Sequence, residues 1–214
     1  STDGIYLSSS SYNTVTGNTC TNNSTGIELF SSSETTITGN TCNNNDYSGI
    51  LLYSSSNNTI TGNTCTYNNH GIGLPDSNNN IVTGNTCNNN RIGGIYLSSS
   101  SNNNTITGNT CIRGTGQTSD YAQNQYTIRL QGDDNKYNLI SLNNCMGKAV
   151  KVDGGTGNSV WGNKFNNTSD LPLAEVNELL EEYFRRSAAN VYTTDTAEFG
   201  EGNEPDLAEG DCDI

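Results

Sequence analysis

The sequence predicts an all-β chain: a right-handed, single-stranded parallel β-helix of about seven rungs, closed by a C-terminal α-helical cap. Two strings that recur in phase, and the period they share, carry this reading. The first string, Thr-(Ile/Val)-Thr-Gly-Asn-Thr-Cys, stands at 14–20, 36–42, 59–65 and 105–111, with Ile81 replacing the first Thr at 81–87. Degenerate copies occupy 139–145 and 159–165. The second, Gly-Ile-x-Leu, precedes the first five copies at Gly4, Gly26, Gly49, Gly71 and Gly94, and echoes at 127–130 and 149–152. A period of about 22 residues is one coil of short strands, and such repeats stack into a solenoid.

Each string alternates with a period of two, as a half-buried strand does. Ile5 and Leu7 point in and Tyr6 out; Val15 points in and Thr14 and Thr16 out; Cys20 points in and Thr19 out. Runs of Ser and Asn, such as 8–13 and 43–46, supply the turns. The asparagine after each glycine forms a column: Asn18, Asn40, Asn63, Asn85, Asn109, Asn143 and Asn163. At a turn such amides are expected to donate to one neighbouring rung and accept from the other, making an internal ladder. The glycine before each provides the positive φ of the turn. Leu142 takes that place in the sixth rung, so a locally altered turn is expected there.

These strings resemble the NosD-type, or carbohydrate-binding and sugar-hydrolase, parallel β-helix repeats over roughly residues 4–168. The resemblance implies the fold and leaves the activity open, because that family spans accessory proteins, surface proteins and polysaccharide enzymes.

Six of the seven cysteines share one column: Cys20, Cys42, Cys65, Cys87, Cys111 and Cys145, with Phe165 in the same place of the last rung. Neighbouring strands lie about 4.8 Å apart, whereas bridged Cβ atoms prefer about 3.8 Å. The column is therefore read as buried thiols acting as small hydrophobes. No second Cys or His column completes a metal site, so no metal is assigned. Free thiols in an exported protein point to an anaerobic or reducing habitat. Cys212 stands outside the column as a candidate reactive thiol.

The chain divides by composition into a β-helix at 1–168, a capping helix at 169–192 and an acidic tail at 193–214. Leu171–Ala188 reads as amphipathic, with Leu173, Val176, Leu180 and Phe184 on one face. Of the net charge of −13, −11 belongs to residues 170–214 and −2 to residues 1–169. A body this poor in Lys and Arg argues against nucleic-acid binding. No run reaches the apolar length of a membrane span. The tail is read as solvated, with weak Ca²⁺ binding as its one cofactor option. The chain starts Ser1-Thr2-Asp3, as expected of a trimmed leader or a piece of a longer parent. Sequons at Asn22, Asn23, Asn57, Asn103, Asn166 and Asn167 are candidate glycosylation sites.

A β-helix enzyme would need carboxylates clustered with Arg or Lys on an outer face. The outward column of the Gly-Ile-x-Leu strands reads Tyr6, Glu28, Leu51, Gly73, Tyr96, Arg129 and Lys151, so charge gathers late. The long insertion at 112–125 adds Arg113, Asp120 and Tyr121. Any catalytic or sugar-binding site is placed here, from Arg113, Asp120, Arg129, Asp133, Asp134, Lys136, Lys151 and Asp153. No pectate-lyase or alginate-epimerase signature string accompanies them. His70, the one histidine, is expected to sit exposed in an Asn turn. The leading functional expectation is thus an exported, non-catalytic structural protein of a cell surface or extracellular assembly. It would self-associate, or continue into a longer parent, through an open N-terminal rung. The alternatives are a polysaccharide-binding or -cleaving module and an ice-binding solenoid that uses its Thr-x-Thr arrays.

Overall fold

The computed structural model describes residues 2–165. These fall in the first of two units into which the chain divides, Ser1–Asn166. The expected capping helix at 169–192 and the acidic tail at 193–214, with Cys212, lie outside the described residues.

The described chain is a right-handed parallel β-solenoid of about seven turns. One seven-stranded sheet is built from the Gly-Ile-x-Leu string: β1 Ile5–Ser8, β3 Ile27–Phe30, β5 Ser48–Tyr53, β7 His70–Pro75, β9 Gly93–Ser98, β11 Tyr126–Gln131 and β13 Lys151–Val152. The Thr-x-Thr string builds the other: β2 Thr14–Thr16, β4 Thr36–Thr38, β6 Thr59–Thr61, β8 Ile81–Thr83, β10 Thr105–Thr107, β12 Leu139–Ser141 and β14 Ser159–Trp161. The third side of each rung is reduced to one bridging residue: Thr19, Thr41, Thr64, Thr86, Thr110, Asn144 and Lys164 stack in parallel. Successive strands pair without slippage, Ile27 on Ile50 and Ile37 on Ile60, because a one-residue shift would turn every apolar side chain to water.

The interior is filled by repeated Ile, Leu, Val and Cys, with Ile27, Leu29, Ile37 and Cys42 fully buried in the second rung. The six column cysteines are buried and unbridged. The glycine of each Gly-Ile-x-Leu string explains why a small residue stands opposite it. A Cβ on Gly49 would fall 2.8 Å from the Cys65 Cβ. The chain there has room for one small side chain, and the thiol takes it.

The Asn column is a hydrogen-bonded ladder. Asn63 donates from Nδ2 to the Ile37 carbonyl of the rung before (2.9 Å) and to Asn85 Oδ1 of the rung after (3.0 Å). Its own Oδ1 accepts from the Asn40 backbone N–H and the Asn40 Nδ2. Three further columns do the same work at the other corners. Asn58, Asn80, Asn104, Asn138 and Asn158 form one. Asn23, Asn45, Asn68 and Asn90 form another. Ser10, Ser32, Ser55, Ser77 and Ser101 form a third, which passes to Asn135. Backbone N–H groups at corners cannot pair along a sheet, and these side chains satisfy them.

At Leu142 the expectation of an altered turn fails. Leu142 adopts φ 57°, close to the 62–68° of Gly17, Gly39, Gly62, Gly84, Gly108 and Gly162 in the equivalent places. The rungs on either side impose the turn, and the leucine accepts the strain with its side chain 59% exposed.

Candidate functional site

The two sheets present different outer faces. On the Thr-x-Thr sheet, Thr16, Thr38, Thr61, Thr83 and Thr107 lie in register, while Ile81 interrupts the parallel column of Thr14, Thr36, Thr59 and Thr105. The Gly-Ile-x-Leu sheet carries the aromatic and charged side chains.

On that sheet Ser48, His70, Gly93 and Tyr126 stack in one outward column. Glu28, Leu51, Gly73, Tyr96, Arg129 and Lys151 form the next. His70 is therefore not an exposed turn residue. It is the first residue of β7, half-buried between two tyrosines, with ring centroids 4.4 Å from Tyr96 and 6.1 Å from Tyr47. The sequence gives no sign of this, since His70 follows an Asn pair in a chain where Asn marks turns. The Tyr96 and Tyr47 hydroxyls are hydrogen-bonded at 3.3 Å. His70 Nδ1 and Ser48 Oγ are buried without a protein partner. Burial lowers the His70 pKa to about 4, so the imidazole is neutral at ordinary pH. Burial first, and then the Tyr47 hydrogen bond, push the Tyr96 phenol up, which keeps it protonated. Glu28 is raised by burial and then by the charge of Asp3.

Two rungs further on, three cations gather over one ring. The Arg129 guanidinium lies 4.5 Å from the Tyr126 centroid, Lys148 Nζ 5.1 Å and Lys151 Nζ 5.3 Å. Asp153 ties two of them, accepting from Arg129 at 2.6 Å and lying 3.3 Å from Lys151 Nζ. Lys148 donates to the carbonyls of Ala122 and Gln123 in the insertion, and burial lowers its pKa, followed by the nearby charge of Lys151. Tyr126 and Lys148 escaped sequence reasoning. The outward alternation of β11 marks Tyr126 only once the strand is known to begin there.

The eight charged residues singled out from sequence do not form one cluster. Arg129, Lys151 and Asp153 meet. Arg113 instead donates to the carbonyls of Asn90 and Arg91. Asp120 folds back within the insertion, accepting from Thr115 Oγ1 (2.7 Å) and the Gln117 N–H (3.1 Å) around a short 3₁₀ turn, Thr118–Asp120; these hydrogen bonds, that from Thr115 foremost, hold its carboxyl below the usual range. Asp133, Asp134 and Lys136 lie beyond the far end of β11, where Asp134 accepts from Ser100 Oγ and the Lys136 N–H donates to Asn102 Oδ1. Asp133 packs beside Gly154. Strand length separates these groups: the ends of a six-residue strand are roughly 17 Å apart.

Of the sequon asparagines, Asn22, Asn57 and Asn103 are exposed turn residues with positive φ, and Asn23 is engaged in a ladder. Asn166 and Asn167 lie outside the described residues.

A seven-turn parallel β-helix with one chemically distinctive outer face defines the class. Residues 1–140 match the family described as periplasmic copper-binding protein (NosD), and the chain belongs to this family. The Dettilon tailspike protein shares 27% identity over 66% of this chain, with a TM-score of 0.56. The A-module of the Azotobacter vinelandii mannuronan C-5 epimerase AlgE6 shares 14% identity over 76% of this chain, with a TM-score of 0.54. The chain spans 32% of the tailspike chain and 54% of the epimerase module. No curated protein sequence matches it.

The donor set does not fit copper within the described residues. No three His, Cys, Asp or Glu side chains converge there. The soft donors copper prefers are the column thiols. They are shut inside the solenoid, where burial raises Cys20 and Cys145, burial and then the neighbouring thiol raise Cys65, and the Cys87 thiol and then burial raise Cys111, so these sulfurs are held protonated. His70 is wedged between aromatic rings with Nδ1 buried.

Proposed function

We propose that this protein is an exported β-helix that binds an acidic polysaccharide along the outer face of its Gly-Ile-x-Leu sheet. The convergence of Arg129, Lys148 and Lys151 on the Tyr126 ring carries the reading. A sugar ring packs its C–H face on an aromatic, and a carboxylate or sulfate on that sugar meets the cations beside it. Asp153 cancels one of the three charges and fixes Arg129 and Lys151, while the insertion's carbonyls hold Lys148. The mannuronan epimerase module named above, which acts on a polysaccharide, supports a glycan ligand, and the periplasmic description of the family supports export.

Affinity electrophoresis of the full chain through gels containing alginate, pectate or neutral dextran tests it. Retardation by an acidic polymer and not by dextran is expected, and the triple variant R129A/K148A/K151A should run freely. Equal mobility in all gels overturns the reading.

A second reading, a structural protein stacking end to end, draws on rung one. Ile5 and Leu7 are half-buried, whereas Ile27 and Leu29 beneath them are fully buried, and β1 is an edge strand. A further rung from a longer parent or another copy would cover them. Sedimentation should then show association that a charge at Leu7 abolishes; a concentration-independent monomer dismisses it.

A further inference from the structure

The corner that leads into the Thr-x-Thr sheet carries a column of side chains that glycan binding leaves unused. Tyr12, Glu34, Asn57, Asn79, Asn103 and Tyr137 stand there, one to a rung, all with positive φ and all exposed. Backbone N–H groups join them rung to rung, Asn57 to the Asn78 carbonyl and Asn79 to the Asn102 carbonyl. Each precedes a strand of the sheet by two residues, and the residue between turns inward to the ladder, as Asn58 and Asn104 do.

Asparagine tolerates this left-handed turn better than other side chains, which accounts for its presence at 57, 79 and 103. Two of the three also meet the pattern of an N-linked sugar acceptor, with a threonine two residues on: Asn57-Asn58-Thr59 and Asn103-Asn104-Thr105. In the third, Ile81 stands where that hydroxyl would be. Thr59 and Thr105 open β6 and β10 with their side chains on the outer face. Asn57 and Asn103 spend their side-chain amides on no hydrogen bond among the described residues, whereas their neighbours Asn58 and Asn104 are fully engaged. Asn23 differs: its amide is tied to Asn45, and the hydroxyl residue of its sequon, Thr25, is buried.

We infer that Asn57 and Asn103 carry N-linked glycans, an inference that rests on export and is independent of what the cationic face binds. The donor is an oligosaccharide held on a polyprenyl phosphate ester, and a transferase of the exporting cell joins the two. The Asn Nδ2 bonds to the anomeric carbon, the bond from that carbon to the phosphate oxygen breaks, and the lipid phosphate leaves with the electron pair. One amide proton is released. Attachment precedes folding, while the chain around each sequon can extend into the transferase. The finished fold keeps both amides outside the solenoid.

The two sites lie two rungs apart, roughly 10 Å, with Asn79 bare between them, so each sugar has room. They also leave the cationic face open. Asn57 and Asn103 lie beyond the ends of β5 and β9, whereas Tyr126 begins β11, so at least a strand length of roughly 17 Å separates the sugars from the Tyr126 cations.

The full chain isolated from its own source is weighed intact, and its peptides are mapped by mass spectrometry. Sugar is expected on Asn57 and Asn103 and not on Asn79. Produced in the same cells, T59V and T105V remove the hydroxyl and keep the turn asparagine. Each should lose the mass of one glycan, with the circular dichroism of the solenoid unchanged. A bare asparagine at 57 or 103 in the native protein overturns the inference, as does a glycan that survives in T59V or T105V. Retardation in acidic-polymer gels is read separately, so the binding reading stands or falls without it.

Discussion

The Tyr96 ring lies across Gly73 of the neighbouring strand, in the space where any Cβ on Gly73 would collide with it. This contact lays the phenol down toward Tyr47 and walls in His70. Gly73→Ala is therefore expected to lift Tyr96 and open His70 to water, moving the imidazole pKa from about 4 back toward 6.5. Imidazole proton shifts followed against pH in NMR would read the change. An unshifted titration would mean that Tyr96 does not control the burial of His70.

Buried His70 also makes stability depend on pH. Its folded pKa of about 4 lies below the 6.5 of a free imidazole. Between those values the unfolded chain binds the extra proton, so stability falls as pH drops through this window and levels off below it. The difference between wild type and H70Q should grow in favour of the variant by about 2–3 kcal/mol from pH 7 to pH 4. Urea unfolding of both proteins at pH 7, 5.5 and 4 measures it.

Interior ladder positions should be far more sensitive than the first one. Asn63→Ala strips partners from the Ile37 carbonyl and from the Asn40 N–H inside the solenoid. A loss of about 2–6 kcal/mol is expected, one to three for each of the two orphaned groups. Asn18 is half-buried at the first rung, and its alanine variant should cost about 1 kcal/mol. Denaturant midpoints for the two variants give the comparison.

Leu142→Gly should stabilise the chain. A left-handed conformation costs an L-residue roughly 1–2 kcal/mol, and the glycine gives back part of that through its freer unfolded state. Leu142 also packs on Gly162, so the net gain should be about 0.5–1 kcal/mol. Thermal unfolding would show a higher Tm.

The column thiols should be silent in the folded protein. Cys65, Cys87 and Cys111 lie inside the solenoid with pKa values well above an ordinary thiol, so almost no thiolate exists to react. A disulfide reagent should label none of them before unfolding and all of them after. Fast labelling of native protein would show that the rungs open locally.

The period of about 22 residues, the alternation within each string and the Gly-Asn-Thr-Cys corner determine the solenoid, its register and the inward column of thiols. They do so because a rung contacts only its neighbours, so that one repeat states the rule for all. The first Asn column is legible for the same reason. The other Asn columns and the Ser column hide in runs where the same residues also make turns, and only the three-dimensional corner shows which of them face inward. The functional face lies deeper still. Tyr47 comes from a turn, His70 from the start of a strand, Tyr96 from the middle of one, and Lys148 from a loop. No spacing in the sequence links them. They meet because successive rungs bring distant residues within about 5 Å, and because Gly73, having no side chain, leaves the room in which the Tyr96 ring lies. Tertiary stacking alone decided that.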